Sequence, residues 1–85
     1  MTITLRFFAS VREALGSSHE TLSVPAGVET VGQLRSHLVA RGAPWSEALG
    51  QQRALRMACD QIMCEAGTAL REGCEVAFFP PVTGG

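Results

Sequence analysis

The 85-residue chain contains no lysine; all seven of its basic residues are arginine. Without a side-chain amine it cannot form a Schiff base, and it offers no internal acceptor for an isopeptide bond. There is no basic run either, and eight acidic residues leave a formal net charge of −1, so nucleic acid and anionic membrane surfaces are poor partners. No apolar stretch approaches the ~20 residues of a membrane span. "MTITLRFF" lacks the basic-then-apolar layout of a secretory signal and reads as a strand. A cytoplasmic location is therefore expected. Cysteine is scarce: Cys59, Cys64 and Cys74 are an odd count without a secretory context, which argues against a disulfide framework. Their spacings form no CxxC, and neither His19 nor His37 lies near them in sequence, so no metal site is expected. They read as reduced, mostly buried thiols acting as small hydrophobes. No nucleophile–base pairing and no phosphate-binding glycine loop is legible, and no carboxylate pair suggests acid–base work.

What is present suits one small domain. Apolar residues make up 46% of the chain, and a chain of this size buries only about 60% of the surface its unfolded form exposes. "TITLRFFA" (2–9) alternates, with Ile3, Leu5 and Phe7 on one face of a half-buried strand, while Phe8 puts an aromatic on the other. Ser10 and Glu13 have capping-box spacing and Gly16 supplies a stop, which predicts a short helix and assigns Glu13 to its cap. "HETLSVP" (19–25) alternates again, Leu22 and Val24 against Thr21 and Ser23. Thr30 and Gln33 form a second capping box before a helix carrying Val31, Leu34 and Leu38 at helical spacing, with Gly42 as its C-cap. Gly32 inside this helix implies close packing on the sheet. "PWSEALG" is a shorter helical piece, whose Trp45 reads as a lid on the core. "ALRMACD" and "QIMCE" pair through a tight turn at Asp60–Gln61, Leu70 is carried into the core by a loop, and "CEVAFF" is a central strand by its continuous apolar end. His19 and His37 read as solvated.

The expected class is α+β: a mixed sheet of four to five strands packed on one main helix, with short extra helices. Residues 1–79 form the domain and 80–85 an extended tail.

That tail, "PPVTGG", follows directly from the last strand. Taken alone, Gly84–Gly85 is equally a cloning scar or a frayed end, and Pro-Pro after a strand is often only a stop. The whole octapeptide "FFPPVTGG" says more. An α-carboxylate has a reference pKa of about 3.3–3.7 and is inert as an acylating agent at neutral pH. It is, however, a nucleophile toward the α-phosphate of ATP, and the resulting mixed anhydride is open to attack by a sulfur donor. Such chemistry needs reach, a narrow profile and no side chain near the reacting carbon. Pro80 and Pro81 hold the exit extended, Gly84 and Gly85 fit a slot too tight for a Cβ, and six residues span at most ~20 Å.

"REGCEVAFFPPVTGG" resembles the C-terminal signature of the MoaD family, the small subunits of molybdopterin synthase, and "LRFFASVREALG" (5–16) resembles its N-terminal motif. The two stretches lie at opposite ends, so the likeness covers the whole domain. Cys74 stands where that family tends to be acidic, and Asp60 where asparagine is common.

The resemblance implies a β-grasp, ubiquitin-like fold and the work of a sulfur carrier. Gly85 would be adenylated by a ubiquitin-activating-type (MoeB-like) adenylyltransferase that uses ATP, then converted to a thiocarboxylate by way of a sulfur donor protein. Gly84 would provide clearance beside it. The tail would insert into a large (MoaE-like) synthase subunit, where sulfur is donated to a pterin precursor to build the dithiolene of molybdopterin. No cofactor would be bound by this chain, catalytic groups would lie on the large subunit, and the assembly would be a hetero-oligomer. Two alternatives share the tail chemistry, a carrier for thiamine thiazole synthesis and a ubiquitin-like protein modifier. Residues expected to contact the partner are Phe79, Pro80, Pro81, Val82 and Thr83, with Met63 and Phe8 on the outer sheet face.

Overall fold

The computed structural model describes residues 1–81. The described residues form five strands and three helices, in the order β1 (Thr2–Phe7), α1 (Ala9–Leu15), β2 (His19–Ser23), α2 (Val31–Val39), α3 (Trp45–Leu49), β3 (Arg56–Cys59), β4 (Ile62–Cys64) and β5 (Glu75–Phe79). The strands form one mixed sheet in the order β2-β1-β5-β3-β4. β1 and β5 run parallel at its centre, and every other pairing is antiparallel.

Alternation decides which face is covered. Ile3, Leu5 and Phe7 of β1 and Val76 and Phe78 of β5 point inward and are at most 1% exposed. Val31, Leu34 and Leu38 of α2 and Leu49 of α3 meet them and are equally sealed. Each such side chain contributes about 1.5–3 kcal/mol of transfer free energy, which explains how so short a chain holds together. Phe7 stacks on Phe78, with centroids 6.5 Å apart, and takes the edge of Trp45 at 5.6 Å, so Trp45 does cap the core. Leu70 and Cys74 close the other end of the core.

The caps follow the expected chemistry at α2 and depart from it at α1. The Thr30 hydroxyl accepts from the Gln33 amide at 3.2 Å, and the Gln33 side chain accepts in return from the Thr30 amide. Ser10 and Glu13 form no such box. The chain leaves β1 extended at Phe8 (φ −131°), which is the N-cap and offers no side-chain hydrogen bond. A turn at Ala9 (φ 51°) then starts the helix two residues early. Ser10 therefore lies inside α1, and Glu13 is an exposed helix residue. Gly16 ends α1 in the left-handed region, as expected.

Gly42 is not the cap of α2. The helix stops at Val39 with Ala40 as C-cap, and Gly42 (φ 87°) reverses the chain two residues later. Nor does Gly32 pack on the sheet; it abuts Ala66 in the loop after β4, where its amide donates to the Ala66 carbonyl at 2.8 Å. His19 is exposed, whereas His37 is half-buried rather than solvated.

The β3–β4 hairpin turns at Asp60 (φ 52°) and Gln61 (φ 68°), a pair of left-handed residues suited to a two-residue hairpin loop. Asp60 tolerates that conformation, and its carboxylate accepts from the Glu75 amide at 2.9 Å and from Arg71 at 2.8 Å. The turn is thereby tied to the start of β5.

Candidate functional site

Helices and loops cover one face of the sheet, and the other face leads to the tail. The register puts its side chains in rows. Nearest the tail, Phe8 and Phe79 meet edge to face, with centroids 6.4 Å apart and planes at 83°, and Arg56 is the cross-strand neighbour of Phe79. The next row runs His19, Arg6, Ala77, Ala58, Met63 across all five strands. Beyond it Thr21, Thr4 and Glu75 form a polar row.

Ala58 and Ala77 are each only 7% exposed, because their larger neighbours stand around them. The result is a shallow depression of about 290 Å³, floored by these alanines and walled by Phe8, Phe79, Arg6 and Glu75. Phe8 is 43% exposed and Met63 56%. The structure thus brings Phe8 and Phe79 together and sets Met63 on the same face two strands away, at the sheet edge. Grouped apolar side chains left uncovered in this way are the kind of surface that protein partners bury.

The tail leaves from beside this face. Pro80 lies in a small recess lined by Ser10, Val11 and Ala14 of α1, Ala48 of α3, and Arg53 and Leu55 of the loop before β3. Pro80 and Pro81 are half-buried. Val82, Thr83, Gly84 and Gly85 lie outside the described residues.

The loop wall of the recess is held by a residue with no counterpart in the sequence-based reading. Arg35 of α2 is 8% exposed. Its Nε donates to the Leu49 carbonyl at 2.6 Å, and one Nη donates to the carbonyls of Gly50 and Arg53 at 2.7 and 2.9 Å. Burial lowers its pKa from the usual guanidinium value. The one available signal was its spacing: residues 31, 34, 35 and 38 make a single helical stripe, with the arginine on the apolar side. Arg6, Arg56 and the two floor alanines were also missed, since alternation alone does not show which outward residues share a row.

Two of the thiols are disfavoured as thiolates. Cys59 is held above its usual pKa by burial first and then by the neighbouring Cys74, and burial also raises Cys64. All three are free, with Cys59 and Cys74 buried and Cys64 half-buried. Among the described residues, no helix is long and apolar enough to cross a membrane. The described part of the site offers a surface and an exit rather than a reacting group.

Residues 5–85 match the ThiS family. The chain is 42% identical over 83 residues to the molybdopterin synthase sulfur carrier subunit of Escherichia coli (strain K12), covering 98% of this chain and 99% of that protein. It is 35% identical, with the same coverage, to the protein of that name from Haemophilus influenzae (strain ATCC 51907 / DSM 11121 / KW20 / Rd). Among solved structures it is similar to SAMP1 from Haloferax volcanii, at TM-score 0.76 and 26% identity over 100% of both chains. The complex of subunits 1 and 2 of molybdopterin-converting factor from Helicobacter pylori 26695 contains a chain of the same fold, at TM-score 0.70 and 22% identity over 100% of both chains.

Proposed function

Because the chain belongs to the ThiS family, we propose that this domain works as the sulfur carrier subunit of a molybdopterin synthase. Its five-stranded mixed sheet and three helices are a ubiquitin-like β-grasp. The observation that carries the function is the 42% identity with a curated carrier subunit across nearly the whole of both proteins. The geometry supports it. A central strand, β5, runs straight into Pro80 and Pro81 beside an uncovered apolar face.

In this function the globule binds and presents, and the tail reacts. The Gly85 carboxylate attacks the ATP α-phosphate in an activating partner. A bond forms from carboxylate oxygen to phosphorus and pyrophosphate leaves. A persulfide sulfur on a donor protein then adds to the acyl carbonyl and AMP departs with its electron pair. A thiol reduces the S–S bond of the resulting acyl disulfide, ending as a disulfide with the donor's cysteine, and the glycine is left as a thiocarboxylate. Gly84, lacking a Cβ, keeps the slot around that carbonyl clear. Docked on the large subunit, the tail delivers its sulfur to the pterin precursor, with the acid–base groups supplied by that subunit. ATP is a substrate of the activating enzyme, and this chain holds no cofactor of its own. Phe8, Phe79 and Met63 provide the contact face, and Pro80 to Thr83 the reach.

A second reading, a protein modifier, is favoured by the likeness to SAMP1 of Haloferax volcanii, a small archaeal modifier protein. Intact-mass measurement of chain purified from sulfur-replete cells tests both. A mass gain equal to one oxygen exchanged for sulfur, lost on deleting Gly85, is the result expected of the carrier. Conjugates to other proteins would favour the modifier, and an unmodified chain whose pathway tolerates Gly85 deletion overturns the carrier function.

A further inference from the structure

Of the seven arginines, Arg12 on α1 and Arg53 before β3 lie outside the sheet, both exposed, with Arg53 donating to the Glu47 carbonyl. Arg35 is buried on backbone carbonyls, Arg41 pairs with Glu20, and Arg71 pairs with Asp60 at the end of the sheet remote from the tail. Arg6 and Arg56 are exposed on the outer face, and among the described residues neither has a carboxylate partner.

They sit on the two strands that flank β5, Arg6 opposite Ala77 and Arg56 opposite Phe79. With neighbouring strands about 4.8 Å apart, the pair brackets the root of the tail across roughly 10 Å. Arg6 also lies over the Phe8 ring at 5.9 Å, which holds its guanidinium at the rim of the depression. The carboxylate on this face, Glu75, begins β5 and lies roughly 13 Å from Phe79 along the strand. The face is thus polarised along β5: both arginines stand in the two rows nearest the tail, among Phe8, Phe79 and the floor alanines, and the carboxylate stands in the third row.

We infer that the surface receiving this face, the large subunit of the synthase, carries carboxylates opposite Arg6 and Arg56, at the mouth of the slot the tail enters. This rests on the carrier function above and adds to it the chemistry of the partner. The apolar strip gives contact area, but apolar burial is non-directional and fixes orientation poorly. Two cations at one end fix it: only the pose with the tail over the acidic mouth pairs both, and the reversed pose would bury them unpaired against apolar surface. Charges placed at a rim act mainly on the association rate and on its dependence on salt.

The test is the association rate of the full chain with its cognate large subunit, measured by stopped flow from about 10 mM to about 1 M salt, where the screening length falls from ~30 to ~3 Å. The wild-type rate should fall steeply with salt. Arg6→Gln/Arg56→Gln should lose about tenfold at low salt and show a much flatter salt dependence. Arg71→Gln removes the same kind of charge from the opposite end and should keep the wild-type rate and slope. A double variant with wild-type rate and slope overturns the inference. So does an Arg71→Gln variant that loses as much, because net charge rather than position would then govern association. Failure of the wild-type chain to associate at any salt overturns the carrier function itself, a result distinct from the other two.

Discussion

Gly32 and Ala66 are packed closer than side chains normally allow. A Cβ added to Gly32 would lie 2.9 Å from the Ala66 Cβ and 3.1 Å from its carbonyl oxygen. Alanine at position 32 would gain about 1 kcal/mol in helix propensity. It would also force the 65–69 loop off α2 and stretch the 2.8 Å hydrogen bond from residue 32 to Ala66. Overpacking of this kind costs about 1–3 kcal/mol. Gly32→Ala should therefore lower stability by about 1 kcal/mol in urea titration, against the propensity scale.

Arg35 holds three carbonyls with one planar guanidinium. Arg35→Met keeps much of the stem volume but leaves those acceptors without their donor, and hydrogen bonds to a charged group contribute about 1.5–3 kcal/mol. A loss of about 2–4 kcal/mol is expected by chemical denaturation. Arg35→Lys should recover only part of it, because a single ammonium does not reproduce the fork.

The depression over Ala58 and Ala77 separates docking from folding. Ala77→Phe points outward into open space between Phe8, Phe79 and Arg6. Thermal melts should change by only a few degrees. Affinity for the large subunit, read by calorimetry, should drop at least about tenfold if a partner side chain occupies that hollow.

Glu20 and Arg41 give a pH signature. The carboxylate accepts two parallel bonds, at 3.0 and 2.7 Å, and the hydrogen bond from Arg41 pulls its pKa below 4.5, more than burial raises it. A folded-state pKa below the unfolded one stabilises the fold above about pH 4.5, and that stability is lost as pH falls through the lowered value. Glu20→Gln should cost about 0.5–1 kcal/mol at pH 7. It should match the wild type at a pH low enough to protonate Glu20, as followed by denaturant melts across the acid range.

Local chemistry was readable wherever a short-range rule decides the outcome. Alternation gave the inward residues of β1 and β5, the Thr30–Gln33 box gave the start of α2, and two polar turn residues gave the β3–β4 hairpin. The capping box at Ser10 failed because the strand does not relax into a helix there; the backbone bends at Ala9, and Phe8 becomes the cap. Gly32 was read correctly as a close-contact residue but given the wrong neighbour, since a helix stripe does not say which loop crosses it. The tail motif pointed to the family, which the likeness to known carrier subunits bears out. The rows of the outer face, with Arg6, Ala77 and Ala58 side by side, depend on the register of strands some seventy residues apart in sequence, which no local pattern encodes.

The parallel pairing of β1 with β5 also orders events in time. Residues 75–79 are the last of the folded domain to leave the ribosome, yet they fill the middle of the sheet, not its border. A nascent chain lacking them has two separated sheet fragments and no floor for the docking hollow. Any partner that recognises the assembled face will thus meet it only on finished molecules, so the topology itself screens out chains that lack their last strand.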